Sequence, residues 1–452
     1  MTPEARLILW LLTWAAACAL LLVRHWRNAL GVGLVFTYVL SASAIHFLGA
    51  AMYALPWYST PLFEPTLGGF EVSTLGLLGF VAGGEMAAAV FRRRQADRPP
   101  ATPGTVPPLL VATYFGVGTL FYGVVYPLVS SLPTVAAVAS AASSLMVVGV
   151  ALWAWNAWQR GQVGACWGWL AASGAFPLVT LVVQGFLGYG FAAMVLVAAF
   201  VASFYRPRWQ VAVVGLIVAY AGLSVYVTYM RDRRDIRAVV WGGEAMGSRL
   251  ERLGATFADT EWFNLSDVDH VKRIDDRLNQ NTLIGAAVDG IESGAVEPGH
   301  GATLAEAALA LVPRAIWPDK PVVAGSGDLV ASYTGMTFAE GTSVGIGHMM
   351  EWYVNFERPG VVFGLMAIGF LVVLVDRSAA LALYRGDVAR FTQWFLPGMS
   401  LLQVGGSFAE LTSSAAAAFV AVALINRVVG AAALQPARPG LTRPGAPASE
   451  RP

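Results

Sequence analysis

The sequence predicts an all-α polytopic membrane protein, with about eleven transmembrane helices and one long extracytoplasmic loop of short helices. Three observations predict it. Apolar residues make up 56% of the 452-residue chain and mean hydropathy is +0.60, against an apolar share of roughly 45–50% in soluble proteins. The 15 Trp and 14 Tyr often stand at the ends of apolar runs, where amphipathic rings suit the headgroup zone. Short connections alternate between loops that carry arginine and loops that do not.

A helix needs about 20 apolar residues to cross the hydrocarbon core. Runs of that kind fall near 6–23, 29–50, 71–91, 108–129, 134–157, 165–184, 188–204, 210–229, 355–375, 391–407 and 411–432. The first, "LILWLLTWAAACALLLV", continues into "RHWR" rather than a small-residue cleavage site, and reads as a span and not a signal peptide. The loops 24–28, 91–98, 158–162, 205–209 and 376–390 carry Arg, whereas 55–71, 130–133 and 184–190 carry neither Lys nor Arg. By the positive-inside rule the basic set is cytoplasmic. The N-terminus is then outside, the tail 434–452 is a disordered cytoplasmic segment, and the long segment after the eighth run is periplasmic. Four parts result: a membrane domain over 1–230, the loop 231–352, a second membrane part over 353–433, and the tail.

The net charge of +1 hides a split, with 11 basic and 18 acidic residues in 231–351 and 18 basic and 10 acidic in the rest. Cys18 and Cys166 both lie within apolar runs and provide no disulfide framework. No metal-ligand spacing, Walker loop, dinucleotide fingerprint or nucleophile elbow occurs, so no metal, cofactor or nucleic-acid partner is expected. Within the spans, Glu85 and His46 are ionisable and mark either an aqueous path or a hydrogen bond between helices.

The loop has its own helical signals. "VKRIDDRLNQNTLIGAAVDGIESG" (271–294) keeps Ile274, Leu278, Ile284, Val288 and Ile291 on one apolar stripe, and "TLAE" (303–306) fits a capping box. On that helix Arg277 and Asn281 lie four apart on one face, with Asn279 to the side. "LVPRAIWPDKP" (311–321) sets Arg314 and Lys320 around Trp317 between prolines that fix the backbone. A planar fork and a point charge suit two phosphate oxygens, or both cations snorkel to lipid headgroups. In "EGTSVGIGHMMEWYVNFERPG" (340–360), His348, Glu351 and Asn355 share a helix face at the outer rim of a span. Glu351 or His348 could accept a hydroxyl proton, or Glu351 pairs with Arg358 and His348 is a satisfied interfacial residue.

"LVPRAIWPDKP", the following "TSVGIGHMMEWYVNFERPGVVFGLMAIG" and the upstream "RLNQN" together resemble the bacterial O-antigen polymerase (Wzy-type) group of oligosaccharide repeat-unit polymerases. The likeness covers about residues 270–375. The chain departs from it at "NFERPG", where Glu357, Arg358 and Pro359 precede Gly360 and a glycine would follow Asn-Phe sooner. The resemblance implies a metal-independent glycosyltransferase at the outer face of the inner membrane. It would polymerise undecaprenyl-diphosphate-linked repeat units into O-antigen, capsule or exopolysaccharide, alongside a flippase and a chain-length regulator. It implies that Arg314 and Lys320, with Arg277, hold the donor diphosphate. Glu351, with His348 second, would take the acceptor proton, Asn281 and Asn355 would orient sugars, and Trp317 would anchor the peptide. A glycan ligase and a lipid-linked glycan transporter are the rival readings.

Overall fold

In hydrocarbon a backbone must satisfy its own polar groups, and each apolar run does so as a helix. The computed structural model describes residues 1–28, 30–93, 104, 106–205, 209–312, 317, 325–338 and 344–433, and its secondary structure is all helical. The first six helices are α1 (Pro3–Asn28), α2 (Leu34–Met52), α3 (Phe63–Arg93), α4 (Pro108–Val129), α5 (Thr134–Gln159) and α6 (Val163–Gln184). Then follow α7 (Gly188–Phe204) and α8 (Trp209–Trp241). The segment after α8 forms α9 (Met246–Ala258), α10 (Val268–Leu278), α11 (Asn281–Glu292), α12 (Ala302–Ala310) and α13 (Ser326–Thr334). The chain closes with α14 (Gly347–Tyr384), α15 (Val388–Ser400) and α16 (Phe408–Ala433).

Among the described residues eight helices are long and apolar enough to cross a membrane: α1 to α6, α14 and α16. The protein is therefore a membrane-embedded helical bundle. Three of the expected spans differ from that standard. The run at 188–204 is the 17-residue α7. The run at 210–229 lies within α8, which continues unbroken through "RDRRDIR" to Trp241, so the boundary expected at 230 falls inside a helix. The run at 391–407 is a 13-residue helix, α15, ended by an irregular stretch over 401–407. At 1.5 Å per residue that helix reaches only about 20 Å.

The central pair is α3 and α14, which run parallel. A Cβ on Gly79 or Gly83 would strike the carbonyls of Val362 and Met366, and one on Gly369 would strike that of Phe80. Glycine at these places lets backbone meet backbone, the packing on which helix association in lipid depends. Helix α11 docks on the start of α3 in the same manner, Gly69 facing the Asn281 carbonyl and Gly285 that of Pro65.

At the far end, α14 runs on through the stretch read as a cytoplasmic loop, and Asp376 and Arg377 are buried in it. Asp376 accepts hydrogen bonds from the backbone amides of Val32 (3.1 Å) and Leu34 (2.8 Å) and lies 3.2 Å from His25 Nε2. Glu85 forms an ion pair with Arg24 at 2.8 Å, joining α1 to α3. Of the two readings left open for Glu85, this contact fits the link between helices.

Candidate functional site

The start of α14 brings His348, Glu351 and Asn355 together, as their spacing predicts, yet all three are buried and none stands on an open rim. The cause is the irregular stretch between α15 and α16. It wraps the first turn of α14, with Gly347 N donating to Gly405 O (3.1 Å) and His348 N to Val404 O (3.0 Å). Irregular backbone at membrane depth persists only where protein satisfies it. Glu351 contributes directly, its Oε2 accepting from Phe408 N at 2.7 Å. No cation lies within ion-pair distance of Glu351 among the described residues; Arg358 pairs instead with Glu292 at 2.6 Å.

Asn355 donates to Thr303 Oγ1 and to the Glu351 carbonyl, both at 2.7 Å, and its Oδ1 accepts from Gly301 N at 2.8 Å. Its amide is thus committed to tying α12 to α14, which leaves no free group to orient a sugar. Thr303 receives that bond from the second position of α12; the helix is capped by Gly301, so the capping box expected at 303–306 does not form. Phe356 and Glu357 leave helical geometry, Glu357 at φ 54, where glycine would be unstrained. The departure noted at "NFERPG" is therefore a kink in α14. It opens an apolar groove of about 350 Å³ lined by Trp352, Phe356, Pro359, Gly360, Phe363 and Gly364.

The expected helix over 271–294 is two helices, because the chain turns at Asn279 and Gln280. Its stripe survives: Ile274, Ile284 and Val288 are buried. The shared face of Arg277 and Asn281 does not survive, since Arg277 is exposed and Asn281 is buried. Asn281 Nδ2 donates to the His46 carbonyl (2.7 Å) and Asn279 Oδ1 (3.0 Å), and its Oδ1 faces His46 Nδ1 at 3.1 Å. It too is spent on protein contacts. Asn279, set aside in the sequence, is buried and donates to Asp275 Oδ1 at 2.6 Å. Asp275 Oδ2 accepts from the hydroxyls of Tyr53 (2.8 Å) and Tyr58 (2.7 Å). Burial first, and the Asp275 charge among the smaller causes, push Tyr53 up to about 12.

Arg314 and Lys320 lie outside the described residues, and Trp317 is 39% exposed. Beside Arg277 the structure places two cations that the sequence had offered only as a topology signal. Arg233 and Arg237 sit one turn apart on the extension of α8, and Arg237 stacks over Phe186 (4.3 Å) and Trp241 (5.0 Å). None of the three arginines has a carboxylate within ion-pair distance among the described residues. Although Arg277 reaches the surface, partial desolvation first and then the Arg233 charge pull it below its ordinary value, and burial with both neighbouring guanidiniums does the same to Arg237. Guanidiniums that lower one another in this way, with no carboxylate paired to them, make the cluster a candidate site for an anion.

Asp276 acts on Arg277 through its charge without an ion-pair contact, and the carboxylates nearest along the α8 extension are occupied elsewhere. Arg231 binds Asp232 (2.9 Å) and Glu261 (3.0 Å), Arg252 binds Asp235 (2.8 Å), and Arg273 binds Glu261 (2.6 Å). The Arg231 hydrogen bond, opposed by partial burial, holds Asp232 below the usual carboxylate range. At Glu261 burial pushes upward, but the bonds from Arg273 and Arg231 outweigh it and the net shift is down. Depressed carboxylates stabilise the folded form above the ordinary carboxylate pKa of about 4, and that contribution is lost as pH falls through the folded values. Limited proteolysis of the reconstituted protein should therefore begin to cut within 231–273 only below about pH 4, and Arg273→Met should move that onset to higher pH.

Among the described residues no group of three or more His, Cys, Asp or Glu could hold a metal ion. Comparison with protein-family models, curated proteins and solved structures finds no match.

Proposed function

We propose that this chain is a polyprenyl-diphosphate-dependent glycan polymerase that extends a surface polysaccharide from lipid-linked repeat units. The observation that carries the reading is Glu351: a buried carboxylate with no cation within ion-pair distance among the described residues, next in the chain to Trp352, which lines the apolar groove. A carboxylate so placed has no structural counter-ion, and a buried charge of that kind is retained where it has work to do. Phe408 N–H and the Thr303 hydroxyl orient the carboxylate, and its remaining lone pairs are proposed to accept the proton of an acceptor hydroxyl. The groove suits an isoprenoid tail, and Arg233, Arg237 and Arg277 suit its diphosphate.

In the proposed step the acceptor oxygen bonds to the anomeric carbon of the donor glycan while the bond from that carbon to the diphosphate breaks. The hydroxyl proton passes to Glu351, and guanidiniums balance the charge on the departing diphosphate. Arg314 and Lys320 are proposed to share that role. A flippase that delivers units and a chain-length regulator are the partners such a reaction needs.

The test is a repeat-unit accumulation assay. Cells without the protein should hold single lipid-linked units, and Arg277→Ala should shorten the polymer by weakening diphosphate binding about tenfold or more, the effect of one lost charge-assisted hydrogen bond. If Arg314→Ala and Lys320→Ala cells with normal protein levels still make full-length polymer, those two assignments fail. Long chains left on the carrier in the deletion strain would show a ligase instead.

A further inference from the structure

Three buried polar atoms around the α10–α11 turn have no hydrogen-bond partner among the described residues: His46 Nε2, Gln280 Oε1 and His348 Nε2. They belong to one neighbourhood. Gln280 N donates to the Ile45 carbonyl at 2.9 Å, and its carboxamide lies against Gly347 and Gly405. Gln280 therefore touches the residues that precede His46 and His348. His46 itself sits in a π-helical turn, Ser43–Phe47, which displaces it from regular α-helical register.

The hydrogen-bond network assigns each orphan a role. The Asp275 carboxylate only accepts, so the atom of Asn279 that meets it at 2.6 Å is the amide nitrogen, and Asn279 Oδ1 is the acceptor for Asn281 Nδ2. Asn281 Oδ1 is thereby fixed as the atom facing His46 Nδ1 at 3.1 Å. Ser73 Oγ also lies 3.2 Å from Nδ1, but its hydrogen has the Gly69 carbonyl (2.9 Å) and Asn281 Oδ1 (3.0 Å) as acceptors. His46 Nδ1 is therefore assigned the hydrogen, and in a neutral ring Nε2 is left as an acceptor. At His348 the Tyr38 hydroxyl lies 3.3 Å from Nδ1 and has no other hydrogen-bond partner among the described residues. A buried phenol hydrogen left without an acceptor is costly, so the O–H is assigned as donor to Nδ1, and this assignment leaves the ring hydrogen of His348 on Nε2 as a donor. Both rings are wholly buried with no carboxylate against them, the setting in which an imidazole stays neutral.

One donor and two acceptors are thus unmatched. A sugar hydroxyl has one hydrogen and can satisfy only one of the acceptors, whereas water donates twice. We infer that His46, Gln280 and His348 bind a single ordered water, which accepts from His348 Nε2–H and donates to His46 Nε2 and Gln280 Oε1. Buried waters commonly make about three such bonds. The water would complete a continuous chain from Asp275 through Asn279, Asn281 and His46 to His348 and Tyr38. That chain fixes the imidazole one helical turn before Glu351 and makes His348 a hydrogen-bond donor and not a base. The inference does not depend on the transferase reading.

The test is nitrogen-15 spectroscopy of histidine-labelled full-length protein in lipid nanodiscs, with His46→Gln and His348→Gln used to assign the signals. The expected result is the Nδ1–H tautomer at His46, the Nε2–H tautomer at His348, and a cross-peak from His348 Nε2–H to water. Gln280→Leu should abolish that cross-peak while the His25, His270 and His300 signals stay in place. The same tautomer at both rings, or no water contact at His348 Nε2, overturns the proposal. So does contact only with sugar protons after addition of polyprenyl-diphosphate-linked glycan extracted from the host cells.

Discussion

Glu351→Gln protein, present in the membrane at normal level, is expected to lose polymer formation by about 10²–10⁴-fold, the range associated with removing a positioned general base. The substitution is chosen to isolate that role. Glutamine has the same shape, and its carbonyl oxygen can take the Phe408 N–H bond that Glu351 accepts at 2.7 Å. The link between α14 and the irregular 401–407 stretch therefore survives, while the basicity is gone. Removing the side chain with alanine would leave that amide unsatisfied, a cost of about 1–3 kcal/mol that would confuse folding with catalysis. The measurement is the ratio of long polymer to single lipid-linked units, normalised to protein in the membrane. Full polymer from Glu351→Gln would remove Glu351 from the reaction.

Asp376→Ala is expected to destabilise the bundle by about 2–6 kcal/mol, at about 1–3 kcal/mol for each of the two buried amides left without an acceptor. Its carboxylate is fully buried and accepts from the Val32 (3.1 Å) and Leu34 (2.8 Å) amides, with His25 Nε2 3.2 Å from its other oxygen. Alanine strands two amides at the start of α2 and leaves the buried Arg377 without the adjacent charge. Asp376→Asn retains one oxygen acceptor and should lose much less. Thermal unfolding in a fixed detergent, followed by tryptophan fluorescence, separates the two variants. Equal midpoints for Asp376→Ala and the parent would refute the role given to this carboxylate.

Most of the helical bundle was legible in the sequence because an apolar run of spanning length has few alternatives to a helix in lipid. Hydropathy loses its grip where tertiary contacts end a helix. "LLQVGGS" (401–407) is as apolar as its surroundings, and it leaves the helix because Gly347, His348 and Glu351, some fifty residues away, take its polar groups. The α10–α11 break has a similar cause, for no proline or glycine marks Asn279 and Gln280. They turn because Ile45, Asp275 and Asn281 engage them. The face shared by His348, Glu351 and Asn355 was visible from spacing alone, but their burial was not. Arg233 and Arg237 were hidden in plain view, since a cluster of arginines beside a span also reads as an orientation signal. Only the position of Arg277 on another helix shows that the charges gather.

The backbone contact between α3 and α14 has a mechanical consequence. Glycines at 79, 83 and 369 let each helix rest against the carbonyls of the other, so sliding or rotation of one past the other would drive a side chain into a main chain. The pair moves as one stiff strut. Spin labels placed on the lipid-facing sides of α3 and α14 should hold a single distance through every stage of turnover, and that constancy makes the pair an internal ruler. Displacements of α12, α13 or the α8 extension can be measured from it without a second fixed frame.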